Sequence, residues 1–317
     1  MNNKIIQLLK NATTFLSGEE ISGHFKISRS AIWKHMQELR RQGYAIEGSP
    51  HLGYVLKKVP DKLLPQEIQY QLPTKYIGKE IIYSEKTEST MNVAFQKGMG
   101  GAREGLVVIA ETQTKGRGRV GREWISPKGK GIYLSMILRP RIAPRDIAKI
   151  TLLSAVAVCE TIRQSTALDA KIKWPNDILV KDKKVAGCLT ELSAEMDSVR
   201  FVVAGVGINV NTPADKLPAH ASSLKIESGK EISRVELTKI FFVSYERWYE
   251  LMKVKGFLSV MDQWRDLTST LGRKIRITDQ NGSVEGKAVD LDESGGLVIV
   301  TDEGDIIHRM SGDVVMI

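Results

Sequence analysis

Apolar residues recur along this chain in two rhythms, and the points where the rhythm changes divide it. In the first 60 residues the period is mainly helical. IIQLLK makes a short amphipathic helix, and SGEEISGHF starts a second, with Ser17 as N-cap and Glu20 three residues later. SRSAIWKHMQELRRQG makes a third, capped by Ser28 or Ser30 and ended by Gly43; its Ile32, Met36 and Leu39 form one buried stripe. The period then drops to two in YAIE and GYVLKK, joined by GSPHLG. Three helices and a hairpin predict a winged helix-turn-helix over residues 1–60, with the helix-turn-helix itself at about 18–37.

KKVPDKLLPQEI follows, polar and broken by Pro60 and Pro65, and predicts a linker over 61–78. From 79 to 268 strand-like and helical runs mix. GLVVIAETQ and GIYLSMILRP are strand-like. RDIAKITLLSAVAVCETIRQ is apolar nearly all round, which predicts a central helix. KIKWPNDILV, KKVAGCLTEL and RFVVAGVGINV predict three strands, the first two joined through KDK. SRVELTKIFFVSYERWYELM is a helix opened by a capping box, Ser233 to Glu236. Several connections are too short for crossover helices, so the sheet is expected to be largely antiparallel. Over 272–317 short strands alternate with QNGS, ESGG, DEGD and SGD, and Asn281-Gly282 is a strong hairpin signal. That spacing predicts a small SH3-like antiparallel barrel. The fold class is therefore multidomain α+β.

Composition narrows the chemistry. The 317 residues carry a net charge of +9, which favours an anionic partner. No run approaches the roughly 20 apolar residues of a membrane span. Cys159 and Cys188 sit in apolar runs without a CxxC motif and read as buried thiols, consistent with a cytoplasmic protein. Three of the five histidines, His24, His35 and His51, lie in the first 60 residues; His220 and His308 have no obvious metal partners in sequence. A histidine triad or a zinc site in the main body is a poor reading, and no metal ligand is assigned.

Residues 1–60 hold nine Lys/Arg against four Asp/Glu. Ser28, Arg29, Ser30, Lys34 and His35 lie on or beside the third helix and are candidate DNA contacts, the alternative being a solvated face of a small helical domain. The loop GRGRVGREW, Gly116 to Trp124, spells GxGxxG after a strand. However, Pro127, more glycines and a strand follow it, where a dinucleotide fold needs a helix and then a ribose-binding acid. What remains is a flexible loop bearing Arg117, Arg119 and Arg122, whose forks suit carboxylate or phosphate oxygens and which could take its shape around a ligand. A solvated basic loop or a second nucleic-acid contact would show the same spacing. KWPND (Lys173 to Asp177), KKVAG (Lys183 to Gly187) and GVGIN (Gly205 to Asn209) add cations, carboxamides and close-approach glycines. Together they describe a site rich in cations, with room for an acid and a nucleotide.

TEST, QTKGRGRVGREW, KWPND, KKVAG and GVGIN in that order, between a winged helix and a small barrel, resemble the bifunctional biotin–protein ligases that double as biotin-operon repressors. The likeness covers nearly the whole chain. It implies formation of biotinyl-5′-AMP from biotin and ATP, with Mg2+. Biotin then passes to a lysine of the biotin carboxyl carrier protein of acetyl-CoA carboxylase. By the resemblance Ser89, Thr90, Met91 and Gln113 belong to the biotin site, with Arg117, Gly118 and Arg119 in the loop above it. Lys184 bridges the biotin carboxyl and the α-phosphate, Gly187 lets biotin lie against its strand, and Asp177 orients metal or the incoming lysine. Asn209 reads adenine, and Trp124, Lys173 and Asn176 join Arg119 in the adenylate set. Residues 212–224 stand where the family has its adenylate-binding loop. Relatives carry Asn or Gln where this chain has Met91, and a thioether cannot replace an amide; the backbone of residue 91 or the side chain of Asn92 would make that contact. The resemblance also implies operator DNA as partner and a homodimer when adenylate is bound. A lipoate ligase and a regulator with a dead enzyme domain are the rival readings.

Overall fold

Ser17 caps its helix reciprocally: its Oγ accepts from Glu20 N at 3.1 Å, and Glu20 Oε2 accepts from Ser17 N at 2.6 Å. In the computed structural model, which describes residues 1–196, 198–280 and 282–317, the chain divides into two units, 1–62 and 63–317. The first unit contains α1 (Asn2–Asn11), α2 (Gly18–Phe25), α3 (Arg29–Arg41), β1 (Ala45–Ser49) and β2 (Gly53–Lys58). Ser28 caps α3, accepting from Ala31 N. The stripe Ile32, Met36 and Leu39 is buried with Ile5, Ile6, Leu9, Ile21 and Tyr44, and β1 and β2 pair antiparallel. The expected winged-helix elements are present in order.

The second unit begins inside the expected linker. Residues 61–78 include α4 (Pro65–Gln69), and Leu63, Leu64, Ile68, Leu72 and Ile77 are buried. Pro65 opens this short helix, where its missing N–H costs nothing, and does not mark a solvated hinge. The main sheet comprises β3 (Ile81–Ser84), β4 (Val107–Ala110), β5 (Ile132–Leu138), β6 (Lys171–Lys173), β7 (Asp177–Val180), β8 (Lys183–Glu195) and β9 (Ser198–Ile208). These lie in the order β3-β4-β5-β9-β8-β7-β6. Only the β3–β4 pair among them is parallel, with α5 (Thr90–Met99) in the connection. KIKWPNDILV is not one strand: it folds back as the β6–β7 hairpin around Trp174-Pro175-Asn176, whose Trp–Pro bond is cis. KDK supplies the next turn as expected, with Lys181 and Asp182 both at positive φ.

Helix α6 (Ile147–Thr166) is the central helix, buried over most of its surface and packed on β8, α8 (Arg234–Lys255) and α9 (Leu258–Leu267). A short α7 (Leu224–Ser228) precedes α8. At the α8 cap Ser233 Oγ accepts from Glu236 N, but the Glu236 carboxylate pairs with Lys239, so half of the expected capping box forms. The C-terminal strands β10 (Lys274–Asp279), β11 (Gly282–Leu291), β12 (Leu297–Val300), β13 (Ile306–Arg309) and β14 (Asp313–Met316) form a five-stranded antiparallel sheet. Its order is β13-β12-β11-β10-β14, and no β13–β14 ladder closes it among the described residues. The Asn281 half of the expected Asn-Gly turn lies outside the described residues. Ile275, Ile277, Leu297, Ile299 and Val314 join one hydrophobic cluster with α6 and the main sheet, so this sheet shares the core of the second unit.

Candidate functional site

A cavity of 620 Å³ opens where the N-terminal end of α5, the arginine loop, the β6–β7 turn, strands β8 and β9, residues 217–221 and the start of β14 converge. Its floor is set by glycine. Gly187 on β8 and Gly207 on β9 are ladder partners, and the indole of Trp124 lies over both. A Cβ on Gly207 would come within 2.5 Å of the Trp124 ring, and one on Gly187 within 3.1 Å. Trp124 Nε1 is buried without a hydrogen-bond partner among the described residues. Lys184 Nζ stands 5.4 Å from the centre of the same ring and 2.7 Å from Asp177 Oδ1.

The arginine loop has a shape of its own. Trp124 N donates to Gly116 O at 2.9 Å and Gly118 N to Arg122 O at 2.7 Å, which makes Gly116–Trp124 a miniature hairpin. Its tip is a single turn, Arg119–Gly121, with Val120 at φ 53 and 84% exposed. These backbone bonds give the loop a defined hairpin shape. The three arginines also divide. Arg117 is held by Glu191 through both guanidinium arms and by Asn92 Oδ1 at 2.9 Å, and Arg122 pairs with Asp313 of β14. Arg119 has no ion pair among the described residues. It donates to Asn176 Oδ1 at 3.0 Å and to Gly312 O at 3.4 Å. Burial presses its guanidinium below the ordinary value, against the opposing pull of Asp313 and Asp177. A partly desolvated guanidinium without a carboxylate mate is a ready anion site.

A second set of groups surrounds the start of α5. Thr90 donates from N at 2.8 Å and Oγ1 at 3.1 Å to Gln113 Oε1, and Thr90 Oγ1 lies 2.8 Å from Ser135 Oγ. Gln113 Nε2 donates to Ser126 Oγ at 3.0 Å. Beside them the Ser89 hydroxyl is buried and unpartnered among the described residues. This is an ordered polar pocket with an unused hydroxyl, suited to a polar head that both donates and accepts. Met91 is buried against Gly205, Ala94 and Phe201, so its side chain packs into the α5–sheet core. Asn92 is committed to Arg117, which leaves the backbone of residue 91 for any ligand contact there.

Of the residues the sequence suggested, Thr90, Met91, Gln113, Arg117, Gly118, Arg119, Trp124, Lys173, Asn176, Asp177, Lys184, Gly187 and Asn209 all line this one cavity, and Ser89, next to Thr90 in the chain, is buried and not part of the lining. Two carboxamides are partly spoken for. Asn176 Nδ2 donates to Cys188 O at 2.8 Å while its oxygen holds Arg119, and Asn209 Nδ2 donates to Ser222 O at 3.1 Å. Asn209 therefore keeps its oxygen and one hydrogen. Residues 212–224 lock onto β8, with Lys184 N donating to His220 O at 3.0 Å and Ser222 N to Lys184 O at 2.9 Å. Sequence reasoning missed the contribution of Gly312–Val315 and of Glu191 to this site. The acid that closes SGD, in a chain with an arginine-rich loop of opposite charge, was the signal that could have found Asp313. Among the described residues no cluster of His, Cys, Asp or Glu is arranged to hold a metal ion. Cys188 lines the cavity, but burial drives its thiol upward, away from nucleophilic use.

In the first unit α3 exposes Ser28, Arg29, Ser30 and Lys34. Arg29 pairs with Glu19 at 2.9 Å, and His35 is half-buried with Nδ1 2.6 Å from Asn2 Oδ1, which ties it to α1.

Residues 83–209 match the biotin/lipoate A/B protein ligase family, residues 2–55 an HTH domain and residues 270–316 the biotin protein ligase C-terminal domain. The chain is similar to the bifunctional ligase/repressor BirA of Bacillus spizizenii, with 39% identity covering 96% of this chain and 95% of that protein. It is also similar to the bifunctional ligase/repressor BirA of Escherichia coli, with 29% identity covering 98% and 95%. Among solved structures it is similar to the biotin protein ligase of Aquifex aeolicus in complex with biotin and ATP, with a TM-score of 0.64 and 30% identity over 75% of this chain and 98% of that one. With this extent of likeness and these domains in this order, the chain belongs to the bifunctional ligase/repressor (BirA) family of biotin protein ligases.

Proposed function

We propose that the cavity joins biotin to AMP and delivers the biotinyl group to a lysine of biotin carboxyl carrier protein. The observation that carries this is the meeting, in one cavity, of a guanidinium without a carboxylate mate (Arg119) and an ammonium on a strand (Lys184), beside the Trp124 indole that lies on the Gly187–Gly207 floor. In the first step a biotin carboxylate oxygen attacks the α-phosphorus of ATP and pyrophosphate leaves. Both reactants are anions, so the barrier falls when fixed cations meet the charge. Lys184 is the group to bridge the carboxyl and the phosphate, with Asp177 holding it in place at 2.7 Å. Arg119, steadied by Asn176 and Gly312, holds the phosphate from the loop side. The Ser89 hydroxyl with the Thr90–Gln113–Ser126 chain receives the ureido head. Asn209 offers an acceptor and a donor to adenine, and Lys173 adds a cation towards the phosphates.

In the second step the carrier lysine amine attacks the acyl carbon of the mixed anhydride and AMP leaves with the bonding pair. Gly116–Trp124 covers the intermediate until then. The Mg2+ of MgATP would arrive on the triphosphate, which needs only one or two protein carboxylates; Asp177, which lines the cavity, is the carboxylate that would hold it. The first unit is the DNA-binding half, and α3 is the element that enters the operator. Dimerisation of the adenylate-bound protein would supply two such helices for a two-fold site in the cytoplasm.

The test is incubation with labelled biotin, MgATP and a carrier domain. Biotin-dependent pyrophosphate release and carrier labelling are expected. Release with lipoate in place of biotin would establish the rival ligase, and no release with either would establish a dead enzyme domain. A mobility shift of operator DNA, with and without biotin and ATP, tests the second activity.

A further inference from the structure

On the outward face of α3 one side chain does not fit a solvated helix. Trp33 is 55% exposed, while Ile32, Met36 and Leu39 on the other face are fully buried. The indole makes no ring stacking or cation–π contact among the described residues. Single exposed apolar side chains are ordinary on a protein surface, but tryptophan is enriched among the residues that carry recognition, and this one stands among cations. Its neighbours are Arg29, Ser30 and Lys34, all exposed. Cations and a hydroxyl beside an indole match a polyanion better than an apolar protein groove, because a protein partner would have to desolvate those cations.

The division of labour follows from chemistry. Arg29, Ser30 and Lys34 can bond phosphate oxygens. An indole offers a phosphate one N–H and no charge, so most of its surface is apolar and is matched only by an apolar partner. In the major groove the apolar group presented by a base edge is the thymine C5 methyl. We infer that Trp33 is a specificity-determining residue that packs its ring on a thymine methyl in each operator half-site, while the surrounding cations hold the backbone. The inference rests on the reading of α3 as the DNA-entering helix.

The experiment uses the full chain with biotin and MgATP. A binding duplex is first selected from random-sequence DNA. Each thymine of a half-site is then replaced in turn by deoxyuridine, which removes the methyl and nothing else. For the unaltered protein one position is expected to lose about fourfold in affinity, the worth of one buried methyl. Trp33→Ala should bind the thymine and deoxyuridine duplexes equally, with specific affinity roughly tenfold lower and an unchanged salt dependence, because no phosphate contact is lost. Trp33→Phe should retain part of the thymine preference. Because the side chain is exposed, helicity and melting should not change. If Trp33→Ala keeps the same thymine preference, or if no thymine methyl matters to the unaltered protein, the assignment of Trp33 is overturned. If no specific duplex can be selected at all, the DNA-binding reading itself is overturned.

Discussion

Gly187 and Gly207 face one another across the β8–β9 ladder, and neither has a side chain to keep the Trp124 indole off the strands. Any Cβ at residue 207 must displace that ring, although the extended backbone accepts alanine. Gly207→Ala should therefore fold normally and cost about 1–3 kcal/mol at the ligand floor, a weakening of biotin binding of roughly five- to a hundredfold. Calorimetric titration with biotin checks this. Unchanged affinity would show that the ligand does not use this floor.

Lys184 is held beside Asp177 and over Trp124, and the proposed chemistry asks it to offset charge in the transition state. Lys184→Ala should lower the rate of biotin-dependent pyrophosphate release by about 10²–10³, with a smaller effect on biotin KM. Single-turnover measurement separates the two. A rate within threefold of the unaltered enzyme would remove the role.

Arg119 reaches Asn176 and Gly312 from the tip of the loop, where it can grip a phosphate and help keep the lid shut. Arg119→Gly should let biotinyl-AMP escape, so that bystander lysines on an unrelated protein become biotinylated. Labelling confined to the carrier domain in that variant would show that retention lies elsewhere.

Glu111 is 1% exposed and sits two residues before Gln113. Its Oε2 accepts from Arg234 Nη1 at 2.8 Å and its Oε1 from Leu63 N at 2.8 Å. Arg234 is equally buried and also donates to Gly131 O at 3.2 Å. Arg234→Met would strand a carboxylate in the core, which costs about 3–5 kcal/mol. Urea denaturation should show the loss, and a midpoint unmoved from that of the unaltered protein would mean the pair is dispensable.

The parts legible in the sequence were those in which local chemistry decides. Ser17, Glu20 and Ser28 announce their caps within three residues, and the stripe Ile32, Met36, Leu39 needs no tertiary knowledge. The cavity residues were legible because their chemistry is clustered in short motifs. What escaped was long-range. Asp313 meets Arg122 across 191 positions and Glu191 meets Arg117 across 74. Nothing local tells a surface acid from one that neutralises a loop. The segment 61–78 misled because two prolines and several charges are equally consistent with a hinge and with a short helix whose leucines are buried. KIKWPNDILV reads as one strand because a hairpin of three-residue strand and three-residue turn is too short for a periodicity to register.

The wall formed by Gly312–Val315 has a temporal consequence for the cell. A ribosome must decode past residue 315 before the vitamin pocket has its last side, although Lys184 and Gly207 are decoded more than a hundred codons earlier. A nascent chain can thus present a foldable operator reader, α1 to β2, long before it can load itself with adenylate.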